Sequence, residues 1–197
     1  MTRPGALLLF PGAGSDRTHH TLVAIEQAVA PLPVTRADFP YRKAGRRAPD
    51  RAPILLASLR EDATAVVADA TIKPGQLVLG GRSMGGRMCS MAVAGDDGTG
   101  GTTDPLPAAG LVLVSYPLHP PGKPDRLRTA HLPSLRVPCL FVHGTRDPFG
   151  TPDELQAATA TIPGTVTHIW VDGGRHELAG ADAAISSAVA EWIRTLR

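Results

Sequence analysis

The sequence predicts an α/β protein: one doubly wound domain spanning residues 1–197, built on a mainly parallel sheet of about six strands. Three observations carry this reading. Apolar runs of strand length recur six times, and segments with helical periodicity lie between them. No break in composition divides the chain, whose 197 residues are 43% hydrophobic, enough for one substantial core. Strands that alternate with helices need crossover connections, which favour parallel pairing with helices on both faces.

The first expected strand is Ala6 to Phe10, bounded by Pro11-Gly12. Its Leu7-Leu8-Leu9-Phe10 run is too short for a signal-peptide core, and no apolar run approaches a bilayer span. A cytoplasmic location without membrane attachment is therefore expected. Ser15 and Asp16 offer caps near a helix over Thr18 to Ala30, and Val34 to Asp38 reads as the second strand. Ala52 to Ala70 repeats Ile54, Leu55, Leu59, Val66 and Val67 at helical spacing.

Leu77 to Leu79 is the third strand, followed after a turn by a helix-like segment from Arg87 to Ala94. Gly95 to Pro107, rich in Gly, Asp and Thr, reads as a mobile surface loop. Gly110 to Val114 is the fourth strand. The Pro-rich stretch Tyr116 to Pro138 leaves room for a short cover at most. Val137 to Val142 and Val166 to Val171 complete the strands. Thr151-Pro152-Asp153-Glu154 has the signature of a helix start, and Ala181 to Leu196 is an amphipathic last helix. Cys89 and Cys139 fall where reduced, buried small residues fit better than a disulfide.

The chemistry-bearing motif is Gly81-Arg82-Ser83-Met84-Gly85. A G-x-S-x-G pentapeptide is weak alone, but this one lies between a strand and a helix, where flanking glycines permit a sharp turn that exposes the serine. Serine attacks a carbonyl at neutral pH only when a neighbouring imidazole accepts its proton. His176 lies in Asp172-Gly-Gly-Arg-His176, after the sixth strand, and fits as that base. Asp147, in His143-Gly-Thr-Arg-Asp147 after the fifth strand, fits as the carboxylate that fixes the imidazole tautomer. Asp172 is a rival acid, but its nearness to His176 in sequence hinders an approach to the far ring nitrogen. The developing oxyanion needs preset N–H donors. Met84 supplies one at a helix N-terminus, and Ala13, in Phe10-Pro-Gly-Ala-Gly14, supplies the second.

The chain resembles the small, nearly lidless α/β-hydrolases akin to dienelactone hydrolases, whose eukaryotic relatives include a subunit of a chromatin-acetylating (NSL) complex. The likeness runs through Phe10-Pro-Gly-Ala-Gly-Ser15, Phe39-Pro-Tyr41, Arg47-Ala-Pro-Asp-Arg-Ala-Pro53, Gly80-Gly-Arg-Ser-Met-Gly-Gly-Arg87, Ser115-Tyr-Pro-Leu-His-Pro120 and Gly144-Thr-Arg-Asp-Pro-Phe-Gly150. It implies Ser83, Asp147 and His176 as a catalytic triad, with Ala13 and Met84 as oxyanion donors. Pro11 replaces the histidine common before the first-loop glycine. Ser83 stands where the dienelactone members carry cysteine, so their substrate preference is not transferred.

The expected activity is hydrolysis of a small or medium carboxylic ester or thioester without a cofactor. The alternative is a non-catalytic interaction domain on the same fold. Phe39, Tyr41, Tyr116 and Phe149 follow strands and are candidates to line the pocket, and core packing is the competing reading for each. Arg82, Arg87 and Arg175 flank the triad residues, which makes an acidic substrate attractive, with Arg82 as its contact. Arg42, Lys43, Arg46, Arg47 and Arg51 form either a dock for an anion or a solvated surface. His19, His20, His119, His131, His143 and His168 show no ligand spacing, and no metal is expected. A formal charge of +2 and the lack of interleaved aromatics argue against a nucleic-acid face.

Overall fold

A computed structural model describes residues 3–196. Its centre is a six-stranded parallel sheet in the order β2-β1-β3-β4-β5-β6. The strands are β1 (Ala6–Phe10), β2 (Val34–Arg36), β3 (Leu77–Arg82), β4 (Gly110–Val114), β5 (Cys139–Gly144) and β6 (Val166–Val171). The helices are α1 (His20–Ala28), α2 (Pro40–Lys43), α3 (Ala52–Asp69), α4 (Met84–Ala94), α5 (Pro152–Thr159) and α6 (Asp182–Thr195). The α/β class and single-domain sheet expected from the sequence match this architecture.

Residue parity explains why the strands read as continuous apolar runs. Ala6, Leu8 and Phe10 of β1 pack with Leu79, Leu113 and Phe141 against Leu55 and Leu59 of α3 and Met88 and Ala92 of α4. The intervening Leu7 and Leu9 pack with Val78, Val112 and Leu140 against Leu22 and Ile25 of α1 and Ile185 and Val189 of α6. Alternate side chains thus feed two separate cores, so every position of a central strand must be apolar.

The chain places β2 on one side of β1 and then crosses to place β3 on the other. That reversal opens a crevice above the carboxyl ends of β1 and β3, the usual position of a site in such a sheet. Ala13 follows β1 and Ser83 follows β3, so the topology alone brings their loops together.

Several boundaries differ from the sequence expectation. Helix α4 begins at Met84 rather than Arg87, because Gly85 and Gly86 are helical here despite their poor propensity. Helix α1 begins at His20, and the N-cap is His19, whose ring accepts from the Thr21 N–H at 3.3 Å; Asp16 instead closes a turn with the Thr18 N–H at 2.8 Å. Strand β5 is displaced toward Gly144, and β2 is shorter than expected. The one-turn helix α2, with Pro40 at its first position, was not anticipated.

The Gly95–Pro107 stretch, expected as a mobile surface loop, has an exposed tip and hydrogen bonds at a turn and at its base. Asp97 accepts from the N–H groups of Thr99 at 2.7 Å and Gly101 at 3.0 Å. Arg60 donates to the carbonyls of Ala92 and Asp104 at 3.1 and 2.9 Å. Three members of the basic cluster are paired on the surface: Arg42 with Asp16 at 3.6 Å, Lys43 with Asp62 at 3.4 Å and Arg46 with Asp50 at 2.8 Å. Cys89 and Cys139 are buried free thiols, and burial pushes the Cys139 thiol up to about 12. No helix among the described residues is long and apolar enough to cross a membrane.

Candidate active site

Ser83 is the hinge between β3 and α4, with φ 51° and ψ −117°, a conformation that non-glycine residues seldom adopt. Its N–H donates to the Val114 carbonyl at 2.8 Å and its own carbonyl accepts from the Arg87 N–H at 3.0 Å, so both neighbours hold the turn. A Cβ on Gly81 or on Gly85 would collide with the Phe10 carbonyl oxygen. The motif needs glycine there so that the end of β1 can lie directly against the elbow.

The structure brings the three triad candidates into one hydrogen-bonded line. Ser83 Oγ is 2.9 Å from His176 Nε2. His176 Nδ1 is 2.8 Å from Asp147 Oδ2 and 3.1 Å from Oδ1. With Nδ1–H donating to the carboxylate, Nε2 is left to accept the Ser83 proton. The Asp147 side chain is fully buried, whereas that of His176 keeps 13% exposure toward the substrate side. The rival acid Asp172 is exposed and accepts from Thr145 Oγ1 at 3.3 Å instead.

Two further contacts hold the acid in place. Asp147 Oδ1 accepts from the Phe149 N–H at 2.8 Å. Below it, His143 Nε2–H donates to the Gly150 carbonyl at 2.9 Å and lies 3.6 Å from Asp147 Oδ2. Burial pushes the His143 imidazole below its ordinary pKa, which favours its neutral form beside Asp147.

The first-loop backbone lies beside the nucleophile: a Cβ on Gly12 would come 3.5 Å from Ser83 Cβ. Ala13 follows within that loop, and Met84 is the first residue of α4, where an N–H has no acceptor inside the helix. The two expected oxyanion donors thus belong to the segments that adjoin Ser83, the loop after β1 and the first turn of α4.

A family model described as an alpha/beta hydrolase domain matches residues 3–194. The chain belongs to the alpha/beta hydrolase family. Solved structures with the same fold include Est1E from Butyrivibrio proteoclasticus, at 15% identity and a TM-score of 0.71, covering 98% of this chain and 88% of that one. A dienelactone hydrolase from Anabaena variabilis is 17% identical with a TM-score of 0.69, over 98% and 88% of the two chains. An alpha-beta serine hydrolase homologue from Coxiella burnetii is 16% identical with a TM-score of 0.69, over 100% and 88%.

In this alpha/beta hydrolase, the other residues picked from the sequence fall into different places. Phe149 does reach the site: its ring stacks on the His176 imidazole with centroids 4.0 Å apart. Phe39, Tyr41 and Tyr116 do not line a pocket, which corrects the expectation. Phe39 is buried against Phe10, and Tyr116 against Phe141 with its hydroxyl donating to the Arg128 carbonyl at 2.7 Å. Tyr41 is buried too, but its hydroxyl donates to the Ala13 carbonyl at 2.9 Å and so braces the loop after β1.

Arg82 is also relocated. It is only 4% exposed, and its guanidinium donates to the His176 carbonyl at 2.9 Å and to the Glu177 carboxylate at 2.7 Å. These contacts tie it to the histidine loop. No sequence signal separates this role from substrate binding, because the partner lies 94 residues away. Among the described residues no group of three or more His, Cys, Asp or Glu is arranged to hold a metal.

Proposed function

We propose that this alpha/beta hydrolase is a serine hydrolase of small or medium carboxylic esters or thioesters, working through an acyl-enzyme on Ser83. The observation that carries this reading is the unbroken hydrogen-bond line from Ser83 Oγ through His176 to Asp147. Ser83 Oγ attacks the substrate carbonyl carbon while His176 Nε2 takes its proton, and the buried Asp147 stabilises the resulting imidazolium. The carbonyl oxygen becomes an oxyanion and is met by the N–H groups of Ala13 and Met84. Collapse of this intermediate breaks the bond to the leaving alcohol or thiol, which receives the proton from His176. Water then repeats the sequence on the acyl-enzyme, with His176 again as base, and frees the acid. All protons come from and return to groups in the site, so no cofactor is called for.

The preference for small or medium acyl groups rests on the connections around the crevice. The longest irregular one, residues 115–131, has its exposed part at 121–127, a segment too short to enclose a long acyl chain.

Intact mass after exposure to an uncharged fluorophosphonate tests the mechanism on wild type, Ser83→Ala and His176→Ala. Rapid single labelling of wild type alone is the expected result. Absence of labelling in folded wild type overturns it and makes the non-catalytic interaction domain the leading reading.

A further inference from the structure

Beside the elbow lies a second polar cluster that the triad does not use. Arg87 is on α4, one helical turn beyond Ser83. Its Nε is buried without a hydrogen-bond partner, and no carboxylate of the described residues forms an ion pair with it. Arg128 is half-buried and likewise without an acidic partner; its guanidinium reaches only the Pro117 carbonyl, at 3.4 Å. Two half-buried guanidinium groups on one seam, neither with an acidic counter-charge, leave a positive site open to an anion.

The surrounding contacts fix both arginines on one seam. Ser90, one turn after Arg87, donates to the Arg87 carbonyl at 2.8 Å and is 2.8 Å from Nε2 of the buried His131. Tyr116 holds the Arg128 carbonyl, and the Arg128 N–H donates to the Leu118 carbonyl at 2.8 Å. The 116–131 segment is thereby tied to the helix that starts at Ser83. The field there is positive: burial first and the Arg87 charge second push His131 down to about 4, and the same two causes lower Arg128. Asp96, the acid whose charge reaches Tyr116, has its Oδ1 engaged by the Gly98 N–H at 2.7 Å.

Which side of the substrate this seam meets follows from the two cores. Tyr116 and Met88 pack in the core beneath α3 and α4, whereas Leu178, beside the histidine loop, packs in the core beneath α1 and α6. A leaving group departs toward His176, which must protonate it. Arg87, on α4, belongs to the other side of the sheet, which leaves that side for the acyl chain.

We propose that Arg87 and Arg128 form an anion subsite for a carboxylate on the acyl chain, so that the favoured substrate is a half-ester, or half-thioester, of a short dicarboxylic acid. This rests on the serine-hydrolase reading given above. The bond broken is the ester bond alone; the free carboxylate keeps its charge and only binds.

The test compares kcat/KM for monomethyl glutarate and dimethyl glutarate by pH-stat titration. The two share an acyl spacer and a methyl ester and differ by one negative charge. Wild type is expected to favour the monoester, and Arg87→Gln and Arg128→Gln are each expected to lower the mono-to-diester ratio about tenfold or more, as loss of a charge-assisted contact implies. Arg126→Gln, an exposed arginine on the same segment, keeps the ratio. A parallel fall for both esters in the Arg87 and Arg128 variants shows a structural role and overturns the subsite. So does a wild type that takes the fluorophosphonate label and hydrolyses the diester without favouring the monoester, and there the hydrolase reading survives. A folded wild type that takes no label removes both.

Discussion

The guanidinium of Arg82 donates to the main-chain carbonyl of His176 at 2.9 Å, so the residue before the candidate nucleophile holds the loop of the candidate base. The contact joins the carboxyl end of β3 to the turn after β6, strands separated in the sheet by β4 and β5. A side chain that is almost wholly buried thus helps to hold the separation of Ser83 and His176, whose side chains are 2.9 Å apart.

Replacing Arg82 with Gln removes the charge-assisted donor to that carbonyl. Stability is expected to fall by about 1.5–3 kcal/mol, and kcat by about tenfold as the imidazole loses its position. Glu177→Gln, whose side chain is 72% exposed, is expected to change stability by less than about 1 kcal/mol. Urea melts and fluorophosphonate labelling rates on both variants check the contrast. Equal effects would show that the Glu177 ion pair, not the carbonyl contact, carries the role.

Ser83 holds a positive φ that glycine adopts freely. Ser83→Gly is therefore expected to be inactive yet more stable than Ser83→Ala, by about 1 kcal/mol, since both lose the hydroxyl and only alanine keeps the backbone strain. Thermal unfolding of the two variants measures this, and an alanine variant as stable as the glycine one contradicts it.

Acid should weaken the fold through its buried histidines. In the unfolded chain His131 titrates near its ordinary value of 6.5, but in the folded protein burial and the Arg87 charge push it down to about 4. Between those values the unfolded chain binds more protons, so stability rises with pH through this window. The stabilisation from the neutral ring is present above about pH 6.5 and is lost as pH falls toward 4, a change on the order of 3 kcal/mol. His143 and His168 are lowered by burial too and add with the same sign. Urea midpoints between pH 4 and 7 should show a shallower acid loss in His131→Asn than in wild type. An unchanged slope would mean that His131 is already charged in the fold.

Tyr41→Phe leaves the Ala13 carbonyl without its 2.9 Å donor while keeping the buried ring. The first loop then loses its brace, and kcat is expected to fall about five- to tenfold with KM nearly constant, because an oxyanion contact forms only in the transition state. Steady-state kinetics on a neutral ester tests the split; a rise in KM alone would place Tyr41 in ground-state binding.

Much of the architecture is legible in the residues because the sheet is buried on both faces. Leu7-Leu8-Leu9 has no polar alternation to mislead, and the turn residues Pro11-Gly12 and Gly144-Thr145 mark its edges. The order Ser83, Asp147, His176 is visible for the same reason, since each follows a recognisable strand. What escapes is anything decided by a long-range partner. Nothing beside Tyr116 tells core from rim, because an aromatic after a strand suits both until Phe141 and the Arg128 carbonyl are placed. The start of α4 is hidden by Gly85 and Gly86, whose local propensity argues against a helix. Their small size instead answers the approach of the Phe10 and Gly81 backbones. Arg82 and Arg87 look alike on paper, and only the fold shows one joined to the His176 carbonyl and Glu177 and the other without an ion-pair partner among the described residues.

The seam between β4 and β5 divides the triad. Ser83 comes from the first 115 residues with β1 to β4, while Asp147 and His176 both come from the segment that carries β5 and β6. Between them the chain passes through the exposed 121–127 stretch. Cut there, the polypeptide becomes two pieces, one with the candidate nucleophile and no imidazole beside it, the other with the His176–Asp147 pair and no serine to serve. Chemistry would then report reunion of the pieces, which makes this connection a natural place to build a sensor of molecular proximity.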